Sequence, residues 1–292
     1  MTSAANTCRL CRATATPAGV TRGRRTGREF SFLRCTGCGF VWVREPWTDY
    51  AAIYDDRYYR GEGSDPSVDY AFEYNYPDVS VRQAEWDGIL AAVSACEPQL
   101  KRWLDFGCGN GGLVRHVKKS RSEIEINGYD TGAWARRARQ DGVPILDDRE
   151  LHSAEGRFDV VTAIEVIEHV VDPLEFLRTI RRLLRPGGLF FYTTGNAAHA
   201  PAEFKNWSYV APEIHVSYFT PRAMTLALEG TGFRATPRGT LPGDVSILRY
   251  KILKGLRRKR QRAWQAWVPW SVLTPVFHRR LGMGEMPLGR AV

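Results

Sequence analysis

From residue 80 onward the apolar positions alternate between helical and strand spacing. Residues 80–95 (SVRQAEWDGILAAVSA) put Trp86, Ile89, Leu90 and Val93 on one helical face. Arg102–Phe106 is a short apolar run that ends in a glycine-rich turn, which predicts a strand. The same reading predicts a helix over Gly112–Lys119, a strand over Ile124–Tyr129 ending at Asp130, and a helix over Gly132–Gln140. Short strands follow at Val143–Leu146 and Phe158–Ile164. Asp172-Pro173 is a helix start, because Asp caps free amides and Pro suits the first helical position. Leu174, Leu177, Ile180 and Leu184 continue that helix, and Pro186-Gly187-Gly188 is expected to stop it before a strand at Leu189–Thr194. Repeated strand–helix units imply an α/β fold with a mostly parallel sheet covered on both faces. Such sheets bind ligands at the carboxyl ends of their strands.

The first part of the chain lacks this rhythm. Two C-x2-C pairs, Cys8/Cys11 and Cys35/Cys38, flank a stretch rich in Gly, Thr and Arg, with short apolar runs at Phe30–Leu33 and Phe40–Val43. This predicts a small ribbon over 1–45. Residues 46–78, rich in Tyr, Asp and Pro, predict an irregular aromatic connector, which with the next helix fills 46–100 ahead of a catalytic domain over 101–292. In a reducing compartment paired C-x2-C knuckles point to metal rather than disulfides. Four thiolates on two turns can close a tetrahedral, structural Zn²⁺ site, although the 23-residue gap exceeds the usual spacing of roughly 15–20. Cys96 and Cys108 have no such partner and read as small buried residues.

Charge narrows the choice of partners. The net charge of +9 over 292 residues is concentrated at the two ends. Residues 1–44 hold eight Arg and one Glu, residues 249–262 hold eight Lys/Arg and no acid, and residues 45–248 are net acidic at −8. An acidic middle argues against nucleic acid as the substrate. No apolar stretch reaches the ~20 residues of a membrane span, and the start MTSAANTCRLCRA lacks a signal-peptide core, so a cytoplasmic location is expected. The basic run RYKILKGLRRKRQR (249–262) precedes Trp264, Trp267 and Trp270, and Pro269 and Pro275 interrupt the stretch that follows, so the segment is not expected to cross a membrane. It is read as an insertion over about 245–275. Beyond a solvated helix face, it suits a phosphorylated acceptor held through Arg, a peripheral contact of 249–270 with an anionic membrane surface, or an RNA backbone.

Chemistry concentrates at Leu104-Asp105-Phe106-Gly107-Cys108-Gly109-Asn110-Gly111-Gly112. A glycine-rich turn between strand and helix lets backbone approach a ligand. Gly107, Gly109 and Gly112 also satisfy the dinucleotide pattern, and Asp130 sits where a carboxylate can bind ribose hydroxyls, so NAD remains open at this point. Asp105 favours a cationic ligand such as the amine of a methionine tail over a pyrophosphate. LDFGCGNGG, GYD, FDVVTAIEVIEHVVDP and LRPGGLFFYTT, in this order over about 101–235, resemble the motif set of class I S-adenosylmethionine (SAM) dependent methyltransferases. That resemblance implies a Rossmann-like seven-stranded sheet, with Gly107 and Gly109 against the methionine part of SAM. It also implies Asp130 on the ribose, Asp147 or Asp148 near the adenine, and Glu165 lining the pocket.

The acceptor side is read from two histidines. The Glu168-His169 pair after the fourth strand is similar to that of small-molecule members such as quinone-biosynthesis methyltransferases. Pro212-Glu213-Ile214-His215-Val216-Ser217-Tyr218-Phe219-Thr220 resembles a stretch of zinc-containing sugar C-methyltransferases, where a His and its neighbours deprotonate the acceptor. Here Ile214 separates Glu213 from His215, and the long further domain of those enzymes is not expected. His215 and His169 are the expected bases or acceptor ligands, with Glu213 beside them and Tyr218 and Trp207 as pocket walls. The implied reaction is methyl transfer to a small acceptor, such as a nucleotide-sugar or another phosphorylated or natural-product metabolite. A zinc-containing rRNA or tRNA methyltransferase and an NAD-dependent oxidoreductase are the alternatives.

Overall fold

The computed structural model describes residues 6–63 and 69–292. Part of the connector, 64–68, and the first five residues lie outside the described range. The chain opens with strands β1 (Ala15–Arg22), β2 (Glu29–Cys35) and β3 (Val41–Val43), which pair antiparallel as a ribbon. Gly39, directly after the second knuckle, takes φ +74°, and a Cβ there would come 2.9 Å from Thr220 Cγ2. Only glycine fits that turn without strain. The connector is more ordered than its composition implies. It carries three short helices, α1 (Tyr50–Ile53), α2 (Asp56–Tyr59) and α3 (Tyr70–Asn75), each capped by an aspartate: Asp49, Asp55 and Asp69. An Asp accepting the amide three residues on is the local signal for such starts.

Alternating units follow: α4 (Gln83–Cys96), β4 (Arg102–Phe106), α5 (Gly112–Ser120), β5 (Glu125–Tyr129), α6 (Ala133–Gln140), β6 (Ile145–Leu146), α7 (Asp148–His152), β7 (Phe158–Ile164), α8 (Pro173–Leu183) and β8 (Leu184–Thr193). After these come β9 (Ser217–Tyr218), α9 (Pro221–Glu229), β10 (Phe233–Thr236), α10 (Asp244–Gly255), α11 (Trp270–Leu281) and β11 (Leu288–Ala291). Seven strands form one sheet in the order β10-β11-β8-β7-β4-β5-β6, parallel at β6-β5-β4-β7-β8 and antiparallel on both sides of β11. This is the Rossmann-like α/β fold expected from the sequence, and helices on both faces bury its apolar strands. Pro186-Gly187-Gly188 does not end α8 as expected. The helix stops at Leu183, and the three residues fall inside β8, where the register with β7 shifts between Phe158↔Leu184 and Val160↔Leu189. A bulge absorbs a Pro and two Gly that a regular ladder would not accept.

The basic segment does fall between the last two strands, as α10, a short 3-10 turn (Ala263–Trp267) and α11. At the start of α10, Gly243 (φ +92°) lies so close to α4 that a Cβ would meet Gly88 O at 2.1 Å. That contact draws α10 onto the main body and turns Lys251 inward. The ribbon is also tied to the rest of the chain. β9 adds to it as a fourth strand, giving the order β1-β2-β3-β9, with Val41 opposite Tyr218 and Trp42 opposite Ser217. Phe30, Phe32, Val41 and Val43 share a buried cluster with Phe204, Val216 and Tyr218.

Candidate functional site

The carboxyl ends of β4, β5 and β7 open onto a cleft of about 600 Å³. Its floor is Gly107, Gly109, Asp130, Glu165 and Val166, its walls are tyrosines of the connector (Tyr54, Tyr58, Tyr59, Tyr70), and His169 lies at its rim. Gly107 (φ +78°) and Gly109 (φ +55°) both adopt left-handed backbone. A Cβ on Gly107 would lie 2.5 Å from Val166, and one on Gly109 would lie 2.4 Å from Tyr70. The turn is therefore closed to larger residues by what sits on it. Asp130 accepts from the Gly109 amide at 3.0 Å and the Gly132 amide at 2.7 Å. Burial raises its pKa against those two bonds. Each carboxylate oxygen keeps acceptor capacity for a hydroxyl.

A second, inner chamber of about 50 Å³ adjoins the cleft across Gly107, Tyr70 and Glu165. Asp105 lies there, buried and held by the Thr162 hydroxyl at 2.8 Å, and Thr162 in turn accepts from the Trp103 indole at 2.9 Å. Burial pushes the Asp105 carboxyl up to about 7. Arg82 lines the same chamber, paired with Glu85 at 2.8 Å and Glu73 at 3.6 Å and bonded to Tyr250 OH at 2.9 Å. Sequence reasoning passed over this arginine. Its only signal was a cation at the buried start of an otherwise apolar helix.

Glu165 follows β7 in left-handed backbone, φ +54°, a costly conformation for a residue with a side chain. It receives Lys251 Nζ at 2.8 Å and the Tyr209 hydroxyl at 3.1 Å, and Lys251 holds its pKa well below the usual carboxylate range in spite of burial. Lys251, also missed, was hidden in a run of cations that reads as surface.

The residues expected on the acceptor side come together selectively. The 3-10 turn Ile167–His169 and the segment before β9 are joined by the Val216 amide on Glu168 O, 2.7 Å. This sets the His169 and His215 rings edge to face with centroids 4.8 Å apart. His169 Nδ1 meets Tyr54 OH at 3.2 Å, and His215 Nδ1 meets Tyr209 O at 2.8 Å. Glu168 is wholly buried, bonded by Tyr209 OH at 2.5 Å and Thr194 Oγ1 at 3.0 Å. Burial, with Glu165 nearby, raises its pKa.

Glu213 is not beside His215's ring. It points the other way, taking the Thr26 amide and hydroxyl, both at 2.7 Å, and the Arg25 amide at 3.2 Å in the β1–β2 turn. Residues 212–214 form a turn closed by the Ile214 and His215 amides on Ala211 O, and this reversal separates the two side chains. Tyr218 is buried, with its hydroxyl on His215 O at 2.9 Å, and Trp207 packs on Tyr209 and Tyr218 as a wall. Asp147 caps α7 and pairs with Arg139 at 3.2 Å, so it serves the helix rather than the cleft. Asp148 accepts from Tyr129 OH at 2.9 Å, one residue behind the cleft wall.

The four ribbon cysteines converge so that all ligand atoms lie within 4.8 Å of one another, with Cys8–Cys38 at 3.7 Å and Cys11–Cys35 at 3.3 Å. Backbone amides of Leu10, Gly37 and Cys38 point at the sulfurs of Cys8 and Cys35. Such donors stabilise thiolate. Cys108, by contrast, is buried against Gly128, as a small core residue would be.

A parallel sheet with a glycine turn and two acids, Asp105 and Asp130, at its carboxyl edge belongs to the class of nucleotide-type cofactor folds. Residues 79–237, more than half of the chain, match the family described as a methyltransferase domain, and the chain belongs to that family. Similar curated proteins include the ubiquinone biosynthesis O-methyltransferases of Caulobacter vibrioides (39% identity, 32% of this chain and 40% of that one) and Pseudomonas aeruginosa (36% identity, 41% and 53%). The chain thus spans about two fifths to a half of the length of these relatives. Among solved structures it is similar to the Haemonchus contortus phosphoethanolamine N-methyltransferase 2 in complex with S-adenosyl-L-methionine (18% identity, 86% and 60% coverage, TM-score 0.49). An O-methyltransferase family protein from Burkholderia thailandensis is another (17%, 55% and 54%, TM-score 0.42). No helix among the described residues is long and apolar enough to cross a membrane.

Proposed function

We propose that the protein transfers a methyl group from SAM to an oxygen of a small-molecule acceptor. The observation that carries this reading is the meeting of Gly107, Gly109, Asp105 and Asp130 around one divided cavity whose far rim holds His169. Asp130 would hold the ribose, the glycines would pass the methionine part, and Asp105 and Arg82 would take its ammonium and carboxylate. When bound, SAM supplies a methyl group on a sulfonium that needs no further activation. The chain's own task is to place an acceptor oxygen in line with it and to keep water out. Connector tyrosines close one side, and His169 and His215 receive the reacting oxygen at the other. An acid-lined chamber is a poor seat for the pyrophosphate of NAD.

The ribbon cysteines would hold a structural zinc, since four thiolates leave no open position. The groove lined by Arg257, Arg258, Lys259, Arg260 and Arg262 adjoins the cleft through α3, which lends Tyr70 to one and Asp69 and Phe72 to the other. That supports an acceptor bearing a phosphate. Exposed Trp264 and Trp267 beside it suit the edge of an anionic membrane from which such an acceptor could be drawn.

Calorimetric titration with SAM, its demethylated product and NAD tests the reading. Micromolar binding of SAM or its product, weakened at least tenfold by Asp130→Asn, is expected. Binding of NAD alone would overturn it.

A further inference from the structure

Five cations, Arg257, Arg258, Lys259, Arg260 and Arg262, surround one surface groove of about 790 Å³ that contains a single acid, Asp69. We propose that this groove is a diphosphate site, which anchors the acceptor as a diphosphate ester. The proposal narrows the phosphate-bearing acceptor of the methyl-transfer reading, and it rests on that reading only for what the bound ester does next.

The cations are placed rather than scattered. Helix α10 ends in a turn in which the Arg257 amide donates to Lys254 O at 2.8 Å and the Arg258 amide to Leu253 O at 2.9 Å. Arg257 fills the left-handed position of that turn, φ +53°, where glycine is the usual residue. A strained arginine where glycine would be relaxed points to a use for its side chain. Residues 259–261 then run antiparallel to 79–81, with the Val81 amide on Lys259 O at 3.0 Å and the Gln261 amide on Val79 O at 2.8 Å. The Gln261 side chain adds bonds to Ser80 O at 3.0 Å and Gln83 Oε1 at 2.8 Å. The Arg260 guanidinium lies 5.1 Å from the ring centre of Phe72 and 5.3 Å from that of Tyr76. A run pinned in this way loses little freedom when an anion arrives.

Lys259 is paired with Asp69 at 2.5 Å, whereas the four arginines make no ion pair among the described residues. Guanidinium forks take phosphate oxygens two at a time. One phosphoryl group presents three such oxygens, so it leaves forks unfilled that a diphosphate reaches. Trp264, half-exposed in the same groove, offers a flat face to whatever the diphosphate carries. Between 45 and 248 the chain is net −8, which opposes a long polyanion such as RNA and favours a compact one. Helix α3 with its cap separates the groove from the cofactor cleft: Asp69 and Phe72 line both the groove and its inner recess, and Tyr70 lines the cleft. A diphosphate seated there leaves the far end of its ester to pass α3 toward the methyl donor. Nucleoside diphosphates and polyprenyl diphosphates both supply such a group, and the site's chemistry is the same for either.

Calorimetric titration of the full chain with inorganic pyrophosphate, at constant ionic strength, tests the site. One ion per chain is expected, bound at least tenfold more tightly than inorganic phosphate. Arg258→Gln and Arg260→Gln should each weaken it by tenfold or more. Arg279→Gln and Arg280→Gln, which remove exposed cations of α11 outside the groove, should leave it unchanged. Uridine diphosphate and farnesyl diphosphate separate the two sources. Tighter binding of the first than of pyrophosphate, lost in Trp264→Ala, supports the site with a nucleotide carrier, and tighter binding of the second supports it with a lipid carrier. No pyrophosphate binding at millimolar concentration, binding no tighter than that of phosphate, or equal weakening by the α11 variants would overturn the proposal. So would a short single-stranded RNA that binds more tightly than any of the diphosphates. SAM titration of the same samples keeps the two readings apart. SAM binding without a pyrophosphate site sinks the diphosphate site alone, and pyrophosphate binding without SAM binding sinks the methyl-transfer reading alone.

Discussion

At the scale of single residues, Asp105 sets how the cavity responds to pH. Its carboxyl titrates at about 7 because burial outweighs the Thr162 bond. In the empty protein the raised value opposes folding more and more as pH climbs from the ordinary carboxylate range to about 7. A cationic ligand reverses the preference, because an ammonium needs the ionised form. SAM affinity should therefore rise by up to about tenfold per pH unit as pH approaches about 7, with a proton released on binding. It should decline again above roughly 8, where an α-amino group loses its charge. Calorimetry in buffers of different ionisation heat reads both effects, and a flat profile would remove Asp105 from the site. Thr162→Val, which deletes the hydroxyl that stabilises the carboxylate, should move the midpoint up by roughly one unit.

At the scale of elements, the distinction between local and distant information is visible in Glu213. Strands β4, β5 and β7 and helices α4, α5, α6 and α8 appear close to where their apolar spacing put them. The glycine turn and Asp130 were legible as well, because motif and strand end coincide. What could not be read was which way a side chain faces in a segment without periodicity. Glu213 belongs to the β1–β2 turn, 187 residues away from Thr26 along the chain. Lys251 and Arg82 were hidden for the same reason, since their roles depend on long-range packing of α10 on α4. The bulge at Pro186-Gly187-Gly188 was lost to a rule about helix ends that is sound but blind to strand register. Glu213→Ala leaves the Thr26 and Arg25 amides of that turn without their acceptor, so a loss of about 1–3 kcal/mol of stability is expected. Denaturant unfolding measures it. The kcat per folded molecule should hold, whereas a catalytic carboxylate would cost orders of magnitude.

At the scale of the molecule, the cysteine cluster and the proposed acceptor pocket share a frame. Thr220 Oγ1 bonds Cys38 O at 2.6 Å, and β3 pairs with β9 two residues past His215. Removal of the proposed zinc by a strong chelator, or Cys35→Ser, should lower the melting temperature by several degrees and reduce methyl transfer more than SAM affinity. Metal analysis, thermal melts and calorimetry on one preparation check this. Equal loss of both activities would mean that the cofactor half depends on the ribbon too.

The sheet β1-β2-β3-β9 is assembled from segments separated by more than 170 residues. The stretch that identifies the family begins only at residue 79. A graft of that stretch between relatives would cut this sheet in two and leave Ser217–Tyr218 as a bare edge, prone to pair with another chain. The unit that can be inherited or exchanged intact is discontinuous. Residues 6–47 and the run through 220 must travel together, and a ribbon taken from one relative will suit another only if its β9 comes with it.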